Sequence, residues 1–141
     1  MFKIKIFSVG KTKEAWLQLA LEEYTERLKS TMAFEWILAK TDEQLEDLLA
    51  KEHSFIALDP QGKQHTSEEF SSFLATQLET CGSRLTFAIG GAGGLSPQTK
   101  RRASQLLSLS RMTFTHQITR LILIEQIYRA LEIQRGSGYH K

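Results

Sequence analysis

The stretch from Arg84 to Pro97 most narrows the folds open to this chain. Arg84–Ile89 is a short apolar run of strand length that ends directly in Gly90-Gly91-Ala92-Gly93-Gly94. Ser96-Pro97 then reads as the N-cap and first position of a helix. A strand that passes through glycines into a capped helix is the βα unit of a parallel sheet. Four glycines at such a junction let backbone come close to a ligand and permit positive φ. In open α/β sheets, ligands sit beyond the C-terminal ends of the strands, where this loop lies.

The rest of the chain repeats the alternation. Phe2–Val9 is a strand pattern, followed by a helix over Lys13–Lys29 with Trp16, Ala20, Tyr24 and Leu28 expected on its buried face. Phe34–Ala39 is a second strand, and Leu45, Leu48 and Leu49 mark a helix from Asp42 to Lys51. Ser54–Leu58 reads as a buried strand closed by the turn Asp59-Pro60-Gln61-Gly62. Thr66 to Glu69 fits a capping box, with Phe70, Phe73, Leu74 and Leu78 behind it. After the glycines, a helix is expected to reach about Ser108, with a short strand at Arg111–Phe114. The longest helix spans Ile118–Gln134, with Ile118, Leu121 and Ile122 in its apolar stripe and His116 as a polar cap before it. Gly136 and Gly138 stop that helix, leaving the tail Tyr139-His140-Lys141. The expectation is a single α/β domain over residues 1–141, a mostly parallel sheet with helices on both faces.

Composition sets the function classes. A chain of 141 residues, 41% hydrophobic and 24% charged, is of the size and balance of one globular domain. No apolar run approaches the ~20 residues of a membrane span, and the N-terminus lacks the features of a signal peptide. Cys81 is the single cysteine, so no internal disulfide is expected and a reducing cytoplasm fits. Four histidines and that cysteine show no metal-ligand spacing, and no metal is expected. The net charge of +2 conceals an asymmetry: residues 1–70 hold 9 Lys/Arg against 13 Asp/Glu, residues 71–141 hold 9 against 3. The C-terminal half either carries an ordinary solvated face or meets a polyanion such as RNA.

The ligand of the glycine loop is narrowed by what is absent. No Gly-Lys-Ser/Thr follows at P-loop spacing. A dinucleotide fingerprint read from Gly91 fails at Ser96, and Ser110, Arg111 and Met112 stand where its acidic residue belongs. A nucleoside-type ligand without phosphates stays open. Leu58–Lys63 and Leu109–Phe114 are two further strand-end segments that a parallel sheet would gather beside the glycines. The tail offers an aromatic ring for stacking, a near-neutral titrating group and a cation.

Several ordered motifs together carry a resemblance over essentially the whole chain. They are Val9-Gly10-Lys11, Leu58-Asp59-Pro60-x-Gly62-Lys63, Ile89-Gly90-Gly91-x-x-Gly94-Leu95 and Ser108-Leu109-Ser110-x-Met112-Thr113. His116-Gln117 with Arg120, Ile124-Glu125-Gln126-x-Tyr128-Arg129-Ala130 and Tyr139-His140-Lys141 complete the set. In these the chain resembles the SPOUT-class methyltransferases, and within them the RlmH (YbeA-like) family, which N3-methylates a pseudouridine in large-subunit ribosomal RNA. The resemblance implies a deep trefoil knot at the C-terminal end of the sheet, a homodimer, and S-adenosyl-L-methionine as cofactor. Carried over by position, the cofactor contacts fall at Leu58, Gly90, Leu109, Ser110, Arg111, Met112, Thr113 and Phe114. Two departures stand out: Thr115 precedes His116 where relatives commonly have proline, and Gly93 enriches the loop.

The resemblance, together with residue chemistry, assigns roles. His140 is expected as general base for the N3 proton, Tyr139 to stack on or bind the base, and Arg129 to hold phosphate or developing charge. Arg120 and Lys141 are expected on RNA, with Glu125 orienting Arg129. The ribosome is the expected substrate. The rival class is a dimeric RNA-binding ribosome-assembly factor without catalysis, which would not need three strand-end segments around a pocket.

Overall fold

A computed structural model describes all 141 residues. Five strands carry the alternation: β1 (Phe2–Val9), β2 (Met32–Ala39), β3 (Ile56–Gln64), β4 (Arg84–Ile89) and β5 (Gln105–Ser108). Between and after them run α1 (Ala15–Leu28), α2 (Asp42–Ala50), α3 (Ser67–Thr80), α4 (Pro97–Arg102) and α5 (His116–Gln134). The strands form one sheet in the order β2-β1-β4-β3-β5, every pair parallel. All five C-terminal strand ends therefore lie along one edge.

Side-chain alternation divides the core between the two faces. Ile4 and Ile6, Leu85, Phe87 and Ile89, and Ile56 face α1, α3 and α5 in the larger cluster. Phe7, Ala57 and Ala88 face the other way, against Leu45 and Leu49 of α2 and Leu95. Helix α5 is the keystone of the larger layer, burying Leu123, Ile124, Ile127, Ala130 and Leu131. Ser71 of α3 donates to the Ala130 carbonyl at 2.7 Å, fixing α3 against α5.

Several sequence expectations are corrected. In α1 the buried face is Leu17, Leu21 and Leu28, whereas Trp16 is 53% exposed. The expected stripe holds at Leu28 and at Tyr24, which packs against the core, but in the first two turns Leu17 and Leu21 are buried one position after Trp16 and Ala20. Helix α5 turns in Thr119, Arg120 and Leu123 where the stripe through Ile118, Leu121 and Ile122 was expected. The helix after the glycines stops at Arg102, because Ala103 is extended (φ −63°, ψ 143°), and Gln105–Ser108 becomes edge strand β5. Arg111–Phe114 is loop, not strand.

The turn signal in Asp59–Gly62 has an unexpected outcome. Leu58 and Lys63 both pair with Leu107, so the four residues between them bulge out and β3 then resumes to Gln64. Pro60 lacks the N–H a regular ladder needs and is tolerated in a bulge.

Candidate functional site at the C-terminal strand ends

The glycine loop owes its shape to contacts within the protein. A Cβ on Gly90 would stand 2.8 Å from the Gly94 carbonyl carbon and the Leu95 nitrogen, so the two ends of the loop close only over a bare Cα. Gly94, at φ +75°, donates to the Gly91 carbonyl at 2.9 Å. Helix α2 braces the loop from one side: Glu46 accepts from the Ser96 amide at 2.8 Å and from the Thr99 hydroxyl. Ser96 caps α4 by accepting from the Thr99 amide, as its position before Pro97 predicts.

The second wall is the loop after β5. Ser108 donates to the Ser110 carbonyl at 2.9 Å, and Ser110 accepts from the Met112 amide at 3.0 Å. This tight winding leaves Met112 74% exposed and Phe114 at the surface, unusual placements for large apolar groups. Thr115 then caps α5, accepting from the Ile118 amide at 3.2 Å. The cap is therefore Thr115, and His116 is the first helical residue. Whatever a proline would contribute at this position, threonine starts the helix by its hydroxyl.

These two loops and the β3 bulge enclose a cavity of about 400 Å³. Leu58, Gly90, Leu109, Ser110, Met112, Thr113 and Phe114 all line it. Arg111 does not; it is exposed on the outside of the loop. Asp59, Gln61, Lys100, His116 and Thr119 line it as well; the sequence marks Asp59 and Gln61 only as part of a strand-end segment and gives Lys100, His116 and Thr119 no place in the pocket. Asp59, with only 9% of its side chain exposed, pairs with Lys100 at 3.2 Å. A signal for Asp59 existed in the turn that proved to be a bulge. Lys100 is indistinguishable in sequence from its solvated neighbour Arg101. A larger hollow of about 740 Å³ lies at the opposite end of the sheet, around Lys3, Lys5 and Arg84. It has no glycine loop and no helix start facing it.

Arg120 is placed quite differently from the expected RNA contact. Its side chain is 0% exposed. The guanidinium donates to the Val9 and Gly10 carbonyls, both at 2.7 Å, to Ser8 Oγ at 3.0 Å and to Thr12 Oγ1 at 2.9 Å. Gln117 adds a bond from its amide to the Lys11 carbonyl at 2.8 Å. The start of α5 thus ties down the loop that follows β1. Arg120 holds no RNA from this position; the correction follows from its burial.

His116 stands at the junction of that tie and the cavity. Its pKa lies below the ordinary histidine value, chiefly through desolvation, then through the charges of Arg120 and Lys13, with Asp42 opposing.

The tail is folded rather than frayed. The Tyr139 hydroxyl donates to Glu125 at 2.8 Å, and its ring meets Tyr128 edge-on at 4.8 Å and lies under Arg129 at 4.9 Å. Burial, with the Tyr24 and Glu125 contacts, raises the Tyr139 phenol well above its usual pKa, so it remains a donor. Arg129 pairs with Glu125 at 2.8 Å. His140 accepts through Nδ1 from Arg129 at 2.9 Å, and its Nε2 lies 3.2 Å from Glu68. With Nδ1 accepting, the ring's proton sits on Nε2 toward the carboxylate. The accepting nitrogen of His140 is thus engaged. The structure brings Tyr139, His140, Arg129 and Glu125 together, but at the far end of α5 from the cavity. Thirteen residues separate His116 from Arg129, about 20 Å along a helix. Lys141 is exposed at the end of the chain.

Comparison with known proteins places the chain in a family. A family model described as Predicted SPOUT methyltransferase matches residues 2–140. A protein of Protochlamydia amoebophila named Ribosomal RNA large subunit methyltransferase H is 55% identical over 141 residues, covering 100% of both chains. A Geobacter metallireducens protein of the same name is 40% identical over 98% of each chain. Among solved structures, a probable methyltransferase from Bordetella pertussis Tohama I has a TM-score of 0.59 at 10% identity, covering 92% of this chain and 95% of that one. The putative methyltransferase Lpg2936 from Legionella pneumophila, in complex with bound SAM, has a TM-score of 0.50 at 15% identity, covering 92% of this chain and 66% of its own. These two share the fold. With a family match over nearly every residue and relatives of the same length, the chain belongs to the SPOUT methyltransferases.

Proposed function

We propose that this methyltransferase transfers a methyl group from S-adenosyl-L-methionine to N3 of a pseudouridine in large-subunit ribosomal RNA, acting in the cytoplasm on the assembled ribosome. The observation that carries the reading is the cavity at the strand ends, where Leu58, Gly90 and the loop from Leu109 to Phe114 meet. Its volume, about 400 Å³, lies within the range of small-molecule sites. The donor set suits a nucleoside with an amino-acid arm: Leu58, Ile89, Leu95 and Leu109 for a flat ring, loop backbone for its edge, Asp59 and Lys100 for opposite charges. No phosphate cradle is present, in keeping with a phosphate-free ligand.

When bound, the cofactor supplies an electrophilic methyl on a sulfonium. The chain supplies position and electrostatics. The glycine loop and the Leu109–Phe114 loop would hold the cofactor, with Leu109, Ser110, Met112, Thr113 and Phe114 lining its place; Arg111, exposed beside them, would act from outside the cavity. Tyr139, His140 and Arg129 receive the target nucleotide, with Tyr139 stacking or donating and Arg129 and Lys141 meeting phosphate. Because Arg129 lies about 15 Å along α5 from Thr119, the last α5 residue in the cavity wall of its own chain, the protein works as a homodimer. The tail of one copy completes the cavity of the other.

We also read the path around the cavity as a deep trefoil knot. Residues 109–115 leave edge strand β5, and the first turn of α5 reaches the end of β1, on the far side of β3 and β4 in the sheet.

Labelled S-adenosylmethionine offered with separated subunits and with whole ribosomes tests the reading. Label should enter large-subunit RNA of whole ribosomes, at N3 of a pseudouridine by nuclease digestion and mass analysis. Cofactor binding without any label in RNA would leave a non-catalytic RNA binder instead.

A further inference from the structure

His116 is the one imidazole in the cavity wall, and nothing in the protein occupies its ring. It begins α5 directly after Phe114 and Thr115, and it shares the cavity with Gly90–Gly94 and Thr119. His140, by contrast, has its accepting nitrogen, Nδ1, committed to Arg129 at 2.9 Å. A base must present a free lone pair to the proton it takes. His116 does so within the cavity, whereas His140 must first give up Arg129.

The surroundings of His116 favour an anion beside it. Arg120 lies one turn on, fully buried, and all its hydrogen-bond acceptors are neutral oxygens: Ser8, Thr12, Gln117 and the Val9 and Gly10 carbonyls. No carboxylate is within salt-bridge distance of it, so its charge is not cancelled locally. Lys13, on the loop Arg120 holds, adds a second cation, and Asp42 of α2 supplies the opposing charge. Across the cavity, Asp59 and Lys100 neutralise each other. The field at the start of α5 is therefore positive.

We propose that His116 is the catalytic base for the methyl acceptor, and that Arg120 and Lys13 stabilise the imide anion formed as its proton leaves. The proposal rests on the methyltransfer reading above and assigns its proton step. The N3–H bond of the target base breaks and its proton passes to the free ring nitrogen of His116. The N3 lone pair forms the new N–CH3 bond as the S–CH3 bond breaks, its electron pair staying on sulfur. Asp42 steadies the imidazolium until its proton leaves for solvent. Tyr139, Arg129 and His140 then position the nucleotide. A neutral imidazole is needed at the start, and burial with the neighbouring cations keeps His116 neutral at physiological pH.

The test uses the full-length protein with whole ribosomes and compares His116→Gln, His116→Asn, Lys13→Gln and His140→Gln. Both His116 variants should bind S-adenosylmethionine by calorimetry like the parent, yet lose about 100-fold in turnover at neutral pH, the usual scale of a general base. Their deficit should shrink as pH rises and the imide ionises unaided. Lys13→Gln should lower turnover by a smaller factor with the same pH trend, and should raise the His116 pKa seen by NMR titration of the free protein. His140→Gln should slow turnover by a factor that does not vary with pH. Three results overturn the proposal: parental turnover in the His116 variants, loss of cofactor affinity in them, or the pH-dependent deficit appearing in His140→Gln instead. A parent that transfers no methyl to ribosomal RNA overturns the underlying reading as well, and is distinguished by that alone.

Discussion

Arg120 carries its charge into the interior and meets only neutral oxygens there. Such a charge persists because its acceptors are many and well placed, each charge-assisted bond offsetting part of the cost of leaving water. Replacing it by methionine preserves much of the stem packing but leaves two backbone carbonyls, the Gln117 amide oxygen and two hydroxyls without their donor. At about 1–3 kcal/mol for each buried polar group left unpaired, less the relief of desolvation, Arg120→Met should lose about 3 kcal/mol. Urea denaturation measures this; an unmoved midpoint would mean that water replaces the guanidinium. Nothing local in the sequence distinguishes this arginine from one that meets RNA. Its decisive partner Val9 lies 111 residues away, and only the fold brings them together. Gly90 teaches the same lesson in reverse: the sequence picks it out, but its Cβ is excluded by Gly94 and Leu95 of its own loop rather than by a ligand.

At the scale of elements, what was legible is what is local. The capping box of Thr66 and Glu69, the Ser96-Pro97 start of α4 and the strands Phe2–Val9 and Arg84–Ile89 all follow from neighbouring residues, and all are present. The β3–β5 edge was not legible, because a four-residue strand has too few positions to show a period, and a turn signal inside a strand looks like its end. The bulge from Asp59 to Gly62 has a packing requirement that local rules do not express. A Cβ on Gly62 would lie 2.6 Å from the Leu106 carbonyl carbon and 2.8 Å from the Leu107 nitrogen. Gly62→Ala must therefore push β5 off β3, at about 2 kcal/mol for an overpacked site. Hydrogen exchange should accelerate at Leu106 and Leu107 while β1 and β2 stay protected. Because the bulge carries Asp59 into the cavity, calorimetry should also show weaker cofactor binding in this variant.

For the whole molecule, the separation of the cavity from the tail cluster governs the proposed mechanism. The cavity forms at one end of α5 and the Tyr139–His140–Arg129–Glu125 network at the other, with packed helix between them. No rotamer change spans the about 15 Å from Thr119 to Arg129, so a single copy cannot bring its own tail to its own cavity without unfolding the network. A twofold pair can, since an isologous interface lets each subunit lend its tail to the other. Two inactive variants make this testable. Gly90→Val should abolish cofactor binding by forcing the loop open, and deletion of residues 138–141 should leave cofactor binding intact but remove methyl transfer. Each homodimer then has two dead sites. A mixed dimer, formed by unfolding and refolding the two variants together, has one site with an intact cavity and an intact tail from the neighbouring copy. Methyl transfer should reappear on mixing, in proportion to the mixed species separated by a charge tag. If the tail served its own chain's cavity, every site in the mixture would still lack one half, and activity would stay absent at any mixing ratio.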